Sequence, residues 1–447
     1  MPQRSGNSGM GQTVTQDIRH QSYWLDDLGQ APETGGALPQ KVDVLVIGAG
    51  YTGLSAAIQT AGAGRTTLVL DAGAPGFGCS TRNGGQVSTS IKPSLGKLSA
   101  KFGEKKARAI RQTGVDALAW LGDFVDSHRI DCDFRRCGRF HAAHTPGHYD
   151  MLTRDAEKMH REEGIESIVI PRAEQHAEMG TDTYFGGIVY PRHCSVQPAK
   201  LHRGFLDLAM GAGAQVMGHN AVTGIGRSGQ GFEVTTQKGK VQARDVIVAT
   251  NGYTGGIVPW VQRRVIPIGS YIIVTEDLPQ ETIDRLFPTD RIASDTCKVV
   301  YYYRATPDRR RILFGGRVSS RETDTDASAP LLYENMCRIF PELRGCAISH
   351  SWSGTVGYTF DEMAHTGVHD GIHYALGYCG SGVSMAGYLG MRVGQKVLGL
   401  AEGRTAFDDV PAPTRPFYTG RPWFLPAAVS YYRWLDARQC RAAAAAA

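Results

Sequence analysis

The sequence predicts an α/β protein, α+β overall, in which a domain with a parallel sheet is interrupted by a domain with an antiparallel sheet. The chain has 447 residues. Because a single core stops growing at roughly 250–300 residues, we expect two domains. A β-turn-α-β pattern occupies residues 41–70, and similar patterns return only after residue 190. Strand-rich sequence lies between them, so the parallel-sheet domain is assembled from separate segments.

The domain boundaries follow from where these patterns change. We assign residues 41–95, 190–258 and 345–405 to the parallel-sheet domain, and residues 96–189 and 259–344 to the antiparallel-sheet domain. Residues 1–40 form a polar arm, which Ser22, Tyr23 and Trp24 are candidates to anchor, and residues 406–441 form a C-terminal extension. The six alanines at residues 442–447 are interpreted as a cloning artefact.

The first β-turn-α-β unit is read from its apolar runs. Residues 42–47 are almost all apolar, which is typical of a strand buried on both faces. A glycine-rich turn follows at residues 48–53, and residues 54–63 have helical spacing. Residues 66–70 form a second buried strand.

The later elements are predicted from the period of their apolar residues. Helical spacing covers residues 97–128 in two stretches, 149–163, 199–210, 331–340 and 383–400. Strand patterns cover residues 133–143, 214–217, 232–236, 246–249, 266–275 and 374–377. Residues 298–304 and 310–315 are predicted to form an antiparallel pair.

Composition and charge exclude several classes of protein. Hydrophobic residues make up 42% and charged residues 20% of the chain, which is typical of a globular protein rather than a disordered one. The formal net charge of +5 is a weak surplus at this length, and the sharp cluster at residues 309–311 fits a solvated hairpin turn. We therefore expect no nucleic-acid partner.

The cysteines and the apolar runs indicate a cytoplasmic protein. Nine cysteines occur at irregular spacing with no Cys-x-x-Cys, so we expect neither a disulfide framework nor a metal site. No apolar run has the length needed to cross a bilayer, and the first twenty residues lack the apolar segment of a secretory signal. No membrane partner is expected, and the oligomeric state is left open.

The turn at residues 48–53 reads G-x-G-x-x-G between a strand and a helix, which is typical of a Rossmann-like dinucleotide-binding unit. Glycines at these positions allow a tight turn, a close approach to a diphosphate and close packing of the helix on the strand. An acid at the end of the second strand would bind a ribose diol. The predicted cofactor contacts of this unit are Gly48, Gly50, Tyr51, Thr52, Gly53 and Asp71. FAD and NAD both use this fingerprint.

Later segments favour FAD. Residues 76–86, GFGCSTRNGGQ, resemble the GxGxSxRNGG loop of the FAD-dependent amine and amino-acid oxidases of the D-amino-acid oxidase superfamily. Residues 249–253 (ATNGY), the pair YYR and LFGG at 302–304 and 313–316, and residues 377–383 (GYCGSGV) resemble further motifs of this superfamily. The similarity spans nearly the whole chain, and within the superfamily it is strongest to the gamma-glutamylputrescine oxidoreductases.

The resemblance implies further contacts with FAD. The loop residues expected along the diphosphate and the flavin ring are Ser80, Arg82, Asn83, Gly84, Gly85 and Gln86. Val222, in the strand after the turn at residues 213–214, is expected at the adenine, and Asn251 and Gly252 near the cofactor chain. A helix start against the flavin is expected at Gly380, Ser381, Gly382 and Val383.

Two departures from the superfamily pattern change the expected chemistry. Ser381 stands where many relatives have histidine. Residues 355–360 contain no cysteine where related sarcosine oxidases tether their flavin, so we expect FAD to be bound non-covalently.

Catalytic candidates are cations and aromatic residues that could surround a neutral amine. They are Arg82, Tyr302, Trp352, Tyr271 and Lys298. Because side chains alternate along a strand, either Tyr302 or the pair Tyr301 and Tyr303 faces the cofactor. Lys298 and Arg304 are also compatible with ordinary surface charges.

The resemblance implies an FAD-dependent amine oxidase. We expect a small primary or secondary amine, such as a gamma-glutamylated polyamine, to be oxidised to an imine by hydride transfer to the flavin, with dioxygen as acceptor and peroxide as product. One alternative is a dehydrogenase that passes electrons to a quinone or carrier. A non-catalytic flavin-binding or nucleic-acid-modification subunit is an alternative of another class.

Overall fold

The computed structural model describes residues 17–89 and 91–446 of the chain. Its strands, in chain order, are β1 (Lys41–Ile47), β2 (Thr67–Leu70), β3 (Gln86–Val87), β4 (Arg139–Ala142), β5 (Ile168–Ile170), β6 (Gly187–Tyr190), β7 (Cys194–Ser195), β8 (Gln215–Met217), β9 (Val222–Ser228), β10 (Gly231–Thr236), β11 (Gly239–Val248), β12 (Ile266–Thr275), β13 (Ile292–Asp295), β14 (Tyr301–Ala305), β15 (Ile312–Gly316), β16 (Ile348–Tyr358), β17 (His365–His369) and β18 (Ile372–Leu376).

The α-helices lie between groups of these strands. In chain order they are α1 (Tyr51–Gly62), α2 (Leu95–Phe102), α3 (Glu104–His128), α4 (Pro146–Glu163), α5 (Pro198–Gly211), α6 (Pro259–Gln262), α7 (Gln280–Leu286), α8 (Thr325–Ile339), α9 (Gly382–Val397) and α10 (Leu425–Ala446).

The first sheet has a parallel centre. Its main order is β17-β18-β11-β1-β2-β8, with strands β18, β11, β1, β2 and β8 parallel to one another. The hairpin β9–β10 joins it along β11, and β17 pairs antiparallel with β18. Apolar residues on both faces of β1 bury this strand, as expected for a sheet covered by other elements on each side.

Helices α1 and α9 pack face to face over this sheet. A Cβ on Gly390 would lie 2.2 Å from the carbonyl oxygen of Thr52, and one on Gly394 would lie 2.8 Å from that of Ala56. The two backbones therefore approach each other more closely than any residue with a side chain would allow.

The second sheet has the order β16-β12-β15-β14-β13-β4-β6-β5. Its strands are antiparallel except at β13 and β4, which run parallel and join the two chain segments of the sheet. Helix α8 packs on one face with a separate cluster of buried side chains. The predicted fold class, a parallel-sheet domain interrupted by an antiparallel-sheet domain, is confirmed.

Several element boundaries differ from the sequence prediction. The strand expected over residues 133–143 is limited to β4, because Asp133 and Gly138 have φ values of 51° and 75°, which interrupt an extended chain. Helix α8 starts six residues before the predicted 331, where the Asp324 side chain accepts the backbone N–H of Ala327 at 2.8 Å and caps the helix. Helix α10 continues through the alanines to Ala446.

The distribution of elements between the two sheets also departs from the proposed division. Strand β16, placed in the parallel-sheet domain by the sequence, belongs to the second sheet because it hydrogen-bonds along the length of β12. Helices α2 and α3, placed in the other domain, contribute to the apolar cluster around α1 and α9. The remaining boundaries stay predictions. Among residues 17–89 and 91–446, no helix has the length and apolar character required to span a membrane.

Candidate functional site

Four chain segments meet at one edge of the first sheet. Gly48, Asp71, Asn251 and Gly377 directly or closely follow β1, β2, β11 and β18, whose carboxyl ends lie on the same side. In open α/β sheets, ligands bind at this edge.

The glycine turn between β1 and α1 requires its glycines. Gly48 has a φ of +105°, and a Cβ on Gly53 would lie 1.9 Å from the carbonyl oxygen of Gly48. Gly50 is the N-cap of α1 and has no side chain, so the N-cap residue itself does not cover the first N–H groups of the helix. Such a helix start stabilises negative charge, as on a diphosphate.

The Asp71 carboxylate is fixed against this turn. One oxygen accepts the N–H of Ala49 at 2.8 Å, and the other accepts the N–H of Gly73 at 3.0 Å. Burial raises the pKa of Asp71, while these two N–H donors oppose that effect. Each oxygen keeps a lone pair that can accept a ribose hydroxyl.

The loop at residues 76–85, called here the RNGG loop, lies directly over the start of α1. Ser80 Oγ accepts the N–H of Tyr51 at 3.1 Å, and a Cβ on Gly50 would lie 2.8 Å from the same oxygen. The Asn83 amide holds the loop in shape, because it donates to Cys79 and accepts from the N–H of Gly85. Two separate segments therefore converge where the diphosphate is expected.

Several side chains outside the motifs fix the backbone of the RNGG loop and the glycine turn. The Ser22 hydroxyl donates to Thr81 O and the Trp24 indole donates to Asn83 O, both at 2.8 Å. Ser22 and Trp24 of the N-terminal arm therefore bind directly to the RNGG loop.

Two further supports were missed from the sequence. His202 Nε2 lies 2.8 Å from the carbonyl oxygen of Ala49, and burial lowers the pKa of this histidine, so the neutral ring donates. Arg304 donates to the carbonyl oxygens of Gly85 and Val196, each at 3.1 Å. Arg304 is only 4% exposed, so the expectation of a surface charge is wrong. The carbonyl groups that accept from His202 and Arg304 lie more than 100 residues away in sequence. No local sequence pattern therefore predicts these hydrogen bonds.

The second sheet meets the RNGG loop through an aromatic face. A Cβ on Gly84 would lie 2.8 Å from the Tyr302 ring, and Trp352 donates its indole N–H to Arg82 O at 2.8 Å. The Arg82 guanidinium donates to the carbonyl oxygens of Phe77 and Ser353, and thus joins the loop to β16. Of the three consecutive tyrosines, Tyr302 is the one placed against the loop.

Two other predicted catalytic residues do not lie at the contact between the RNGG loop and the second sheet. Tyr271 is buried in the cluster under α8 and donates its hydroxyl to Glu322 at 3.0 Å. Lys298 is exposed beside α10, where its backbone N–H donates to Asp436.

Three predicted cofactor contacts have other partners. The Gln86 amide donates to the carbonyl oxygens of Ala293 and Tyr303, so it links β3 to the second sheet. The Tyr51 hydroxyl donates to Pro198 O, and the Thr52 hydroxyl bonds to Tyr378 at 2.6 Å, so both side chains face the core. Their backbone N–H groups remain at the start of α1.

Val222 lies one strand later than expected. The strand after the turn at residues 213–214 is β8, whereas Val222 is the first residue of β9 and pairs with Thr236.

The remaining motif residues lie at the same sheet edge. Asn251 has a φ of 41° and accepts the N–H of Gly377 at 2.9 Å, and a Cβ on Gly252 would lie 2.9 Å from Thr355 O. Gly380 has a φ of +96°, and Ser381 is the N-cap of α9, followed by Gly382 and the buried Val383. A second helix start therefore faces the edge beside the first.

Burial makes the Tyr302 surroundings a low-dielectric environment. Desolvation raises the pKa of Tyr302 above its usual value of 10.0, and its hydroxyl bonds to Ser270 Oγ at 2.9 Å. The Tyr302 phenol is neutral at physiological pH, and the same environment disfavours an ammonium ion.

The arrangement fits FAD. Two helix starts, a glycine turn that a Cβ would fill, and a carboxylate beside it match the donors and acceptors of an adenine dinucleotide. The flavin end of such a cofactor would reach the aromatic face of the second sheet. These features are those of a dinucleotide-dependent enzyme.

Comparison with known proteins identifies the family. Residues 43–396 match the family DAO, FAD dependent oxidoreductase, so the chain belongs to it. The chain is 32% identical over 386 residues to the gamma-glutamylputrescine oxidoreductase of Escherichia coli (strain K12), which covers 86% of this chain and 89% of that protein. It is 29% identical over 431 residues to the probable oxidoreductase OrdL of Haemophilus influenzae, covering 94% of this chain and 96% of that protein.

Solved structures share the fold. A glycine oxidase from Geobacillus kaustophilus superimposes with a TM-score of 0.72 at 18% identity, covering 85% of this chain and 99% of that one. An L-proline dehydrogenase from P. horikoshii gives a TM-score of 0.66 at 17% identity, covering 88% and 99%. The resemblance stated from the motifs is confirmed, as are the assignment as an FAD-dependent oxidoreductase and FAD as its cofactor.

Proposed function

We propose that the protein oxidises the carbon–nitrogen bond of a small amine to an imine. The observation that carries this proposal is the contact between the RNGG loop and the buried aromatic face of the second sheet, at Gly84 and Tyr302. This contact supports an arrangement in which the reactive end of the cofactor lies beside a water-poor, aromatic environment. When bound, FAD supplies a two-electron acceptor for the substrate.

The protein residues prepare the substrate rather than carry the electrons. An amine reacts in its neutral form, and burial around Tyr302 favours that form over the ammonium. The Tyr302 hydroxyl, fixed by Ser270, can exchange a hydrogen bond with the amine nitrogen. Arg82 fixes the RNGG loop to β16 and acts as a positioning residue.

The substrate class rests on the relatives. The similarity to a gamma-glutamylputrescine oxidoreductase over 86% of the chain supports a gamma-glutamylated polyamine or another primary or secondary amine. Dioxygen as acceptor, with release of peroxide, and non-covalent FAD complete the proposal. All nine cysteines lie within the described residues and carry free thiols, which supports a reducing, cytoplasmic location.

An anaerobic amine panel tests the proposal. Purified holoenzyme is mixed with gamma-glutamylputrescine, putrescine, sarcosine, glycine and proline, and loss of flavin absorbance is followed. We expect the gamma-glutamylated amine to bleach the flavin fastest, and admission of air to restore the colour with one peroxide per imine. Reoxidation by a quinone but not by air would identify a dehydrogenase, and no bleaching by any amine would refute the proposal.

Tyr302→Phe, with Tyr303→Phe as the matched control, tests the role of Tyr302. Each variant loses one buried hydroxyl, but the Tyr303 hydroxyl donates to Tyr184 on the opposite face of β14. We expect Tyr302→Phe to slow flavin reduction about tenfold, equivalent to ~1.4 kcal/mol, and Tyr303→Phe to leave it unchanged. Equal rates in the two variants would remove Tyr302 from the substrate site.

A further inference from the structure

Three side chains with metal-binding groups come together where α10 meets the second sheet. His144 precedes α4, Cys297 follows β13, and Asp436 lies on α10. One ligand atom from each lies within 4.8 Å of the other two, and all three residues are buried. This cluster is separate from the cofactor edge of the first sheet, and the proposed oxidation does not use it.

His144 and Asp436 have polar neighbours that a bound cation would have to share or displace. His144 Nδ1 lies 2.7 Å from the Thr296 hydroxyl, and its Nε2 lies 3.2 Å from the Gln439 amide oxygen. A cation at Nε2 displaces the Gln439 contact and requires the ring proton at Nδ1, where the Thr296 oxygen can accept it. The Asp436 oxygens accept the N–H groups of Lys298 and Val299 at 2.9 and 3.0 Å, and each keeps a second lone pair.

Cys297 completes a donor set suited to a borderline-soft cation. Its Sγ lies within 4.8 Å of the ligand atoms of His144 and Asp436. Cys440 lies one helical turn after Asp436 on α10. A thiol, an imidazole and a carboxylate are together the ligand types of zinc sites.

We propose that His144, Cys297 and Asp436 bind one divalent cation of the zinc class, with Cys440 or water as the fourth ligand. Binding replaces the Cys297 proton, which is released to water, and the thiolate and the carboxylate neutralise the two charges of the ion. Tetrahedral zinc requires ligand atoms about 3.3–3.8 Å apart, so any pair now spaced wider than that, within the 4.8 Å limit, must close around the ion. The ion would attach α10 to the second sheet.

Metal content and cobalt spectra test the site. Holoenzyme without affinity-tag histidines is treated with a chelator, dialysed against Zn²⁺ or Co²⁺, and passed through a desalting column. We expect one metal ion per chain, and for Co²⁺ visible bands of tetrahedral coordination at longer wavelength than the flavin absorption. Zinc is also expected to raise the unfolding temperature of the chelator-treated protein.

Variants locate the ion. Cys297→Ser and Asp436→Asn are each expected to abolish stoichiometric binding, and Thr296→Val to weaken it about 10- to 100-fold through the His144 ring. Cys346→Ser removes a free thiol outside the cluster and is expected to bind as the wild type does. Metal content near zero in the reconstituted wild type, or equal content in wild type, Cys297→Ser and Asp436→Asn, would overturn the proposal.

Discussion

Gly50→Ala, together with a second substitution at Ser80, tests whether Gly50 is required for packing or for the close approach of the FAD diphosphate. The new methyl group would lie 2.8 Å from Ser80 Oγ and 4.0 Å from Ser80 Cβ. Gly50 has a φ of −88°, so alanine adopts the backbone conformation without strain. The clash is therefore with the Ser80 side chain, which must rotate away and so loses its hydrogen bond from the N–H of Tyr51.

The size of the effect follows from these contacts. Overpacking of this kind costs about 1–3 kcal/mol, and the lost hydrogen bond from Tyr51 costs about 1 kcal/mol of it. The double variant Gly50→Ala/Ser80→Ala removes the clashing oxygen, so we expect the apoprotein to regain the stability lost to overpacking but not the ~1 kcal/mol of the Tyr51 hydrogen bond. The methyl group still covers the start of α1, and a diphosphate there would be held further away, weakening FAD binding at least tenfold, or ~1.4 kcal/mol.

Two measurements separate these effects. Urea unfolding of the apoproteins reports packing, and titration with FAD, followed by quenching of flavin fluorescence, reports affinity. Ser80→Ala alone is the matched control for the loss of the hydroxyl. If Gly50→Ala/Ser80→Ala bound FAD as tightly as Ser80→Ala, the diphosphate would not approach Gly50, and the assignment of this turn would be wrong.

Two other predictions concern side chains outside the motifs. Burial lowers the pKa of His193 from 6.5 to about 3, so the unfolded chain binds a proton there that the folded chain does not, and stability is lost as pH falls from 6.5 towards 3. Between pH 6.5 and 5 this amounts to about 2 kcal/mol, and His193→Gln is expected to reduce the difference between urea unfolding curves at these two pH values. An unchanged difference would refute it. Trp24→Phe leaves Asn83 O without its indole donor, and is expected to cost about 1–3 kcal/mol in urea unfolding and to weaken FAD binding. Wild-type FAD affinity in this variant would show that the arm does not support the loop.

The parts of the site that lie on contiguous sequence could be predicted. The turn at residues 48–53 is flanked by its own strand and helix, so its conformation is determined locally. The motif predicts the RNGG loop, but it does not predict that Ser80 Oγ accepts the N–H of Tyr51. Choosing between Tyr302 and its neighbours required the pairing of β14 with β15, because alternation leaves two faces open.

The parts that depend on distant segments could not be predicted. Lys298 is predicted as a catalytic cation, but the connection before β14 carries it to α10. Strand β16 was given to the wrong sheet, since its partner β12 ends more than seventy residues earlier. The cluster of His144, Cys297 and Asp436 draws on three segments, so the spacing rules that argued against a metal site do not apply to it.

The supports of the RNGG loop have a consequence for how the enzyme binds its cofactor. Ser22 and Trp24 from the arm, Arg304 from β14 and Trp352 from β16 all bond to backbone carbonyl oxygens of residues 81–85. The arm and the second sheet therefore shape the loop, and we expect little ordering cost when FAD binds. Cofactor affinity should then respond to substitutions far from the first sheet. Conversely, FAD at 100 times its Kd should stabilise the arm, both sheets and the loop together, by about 2.7 kcal/mol.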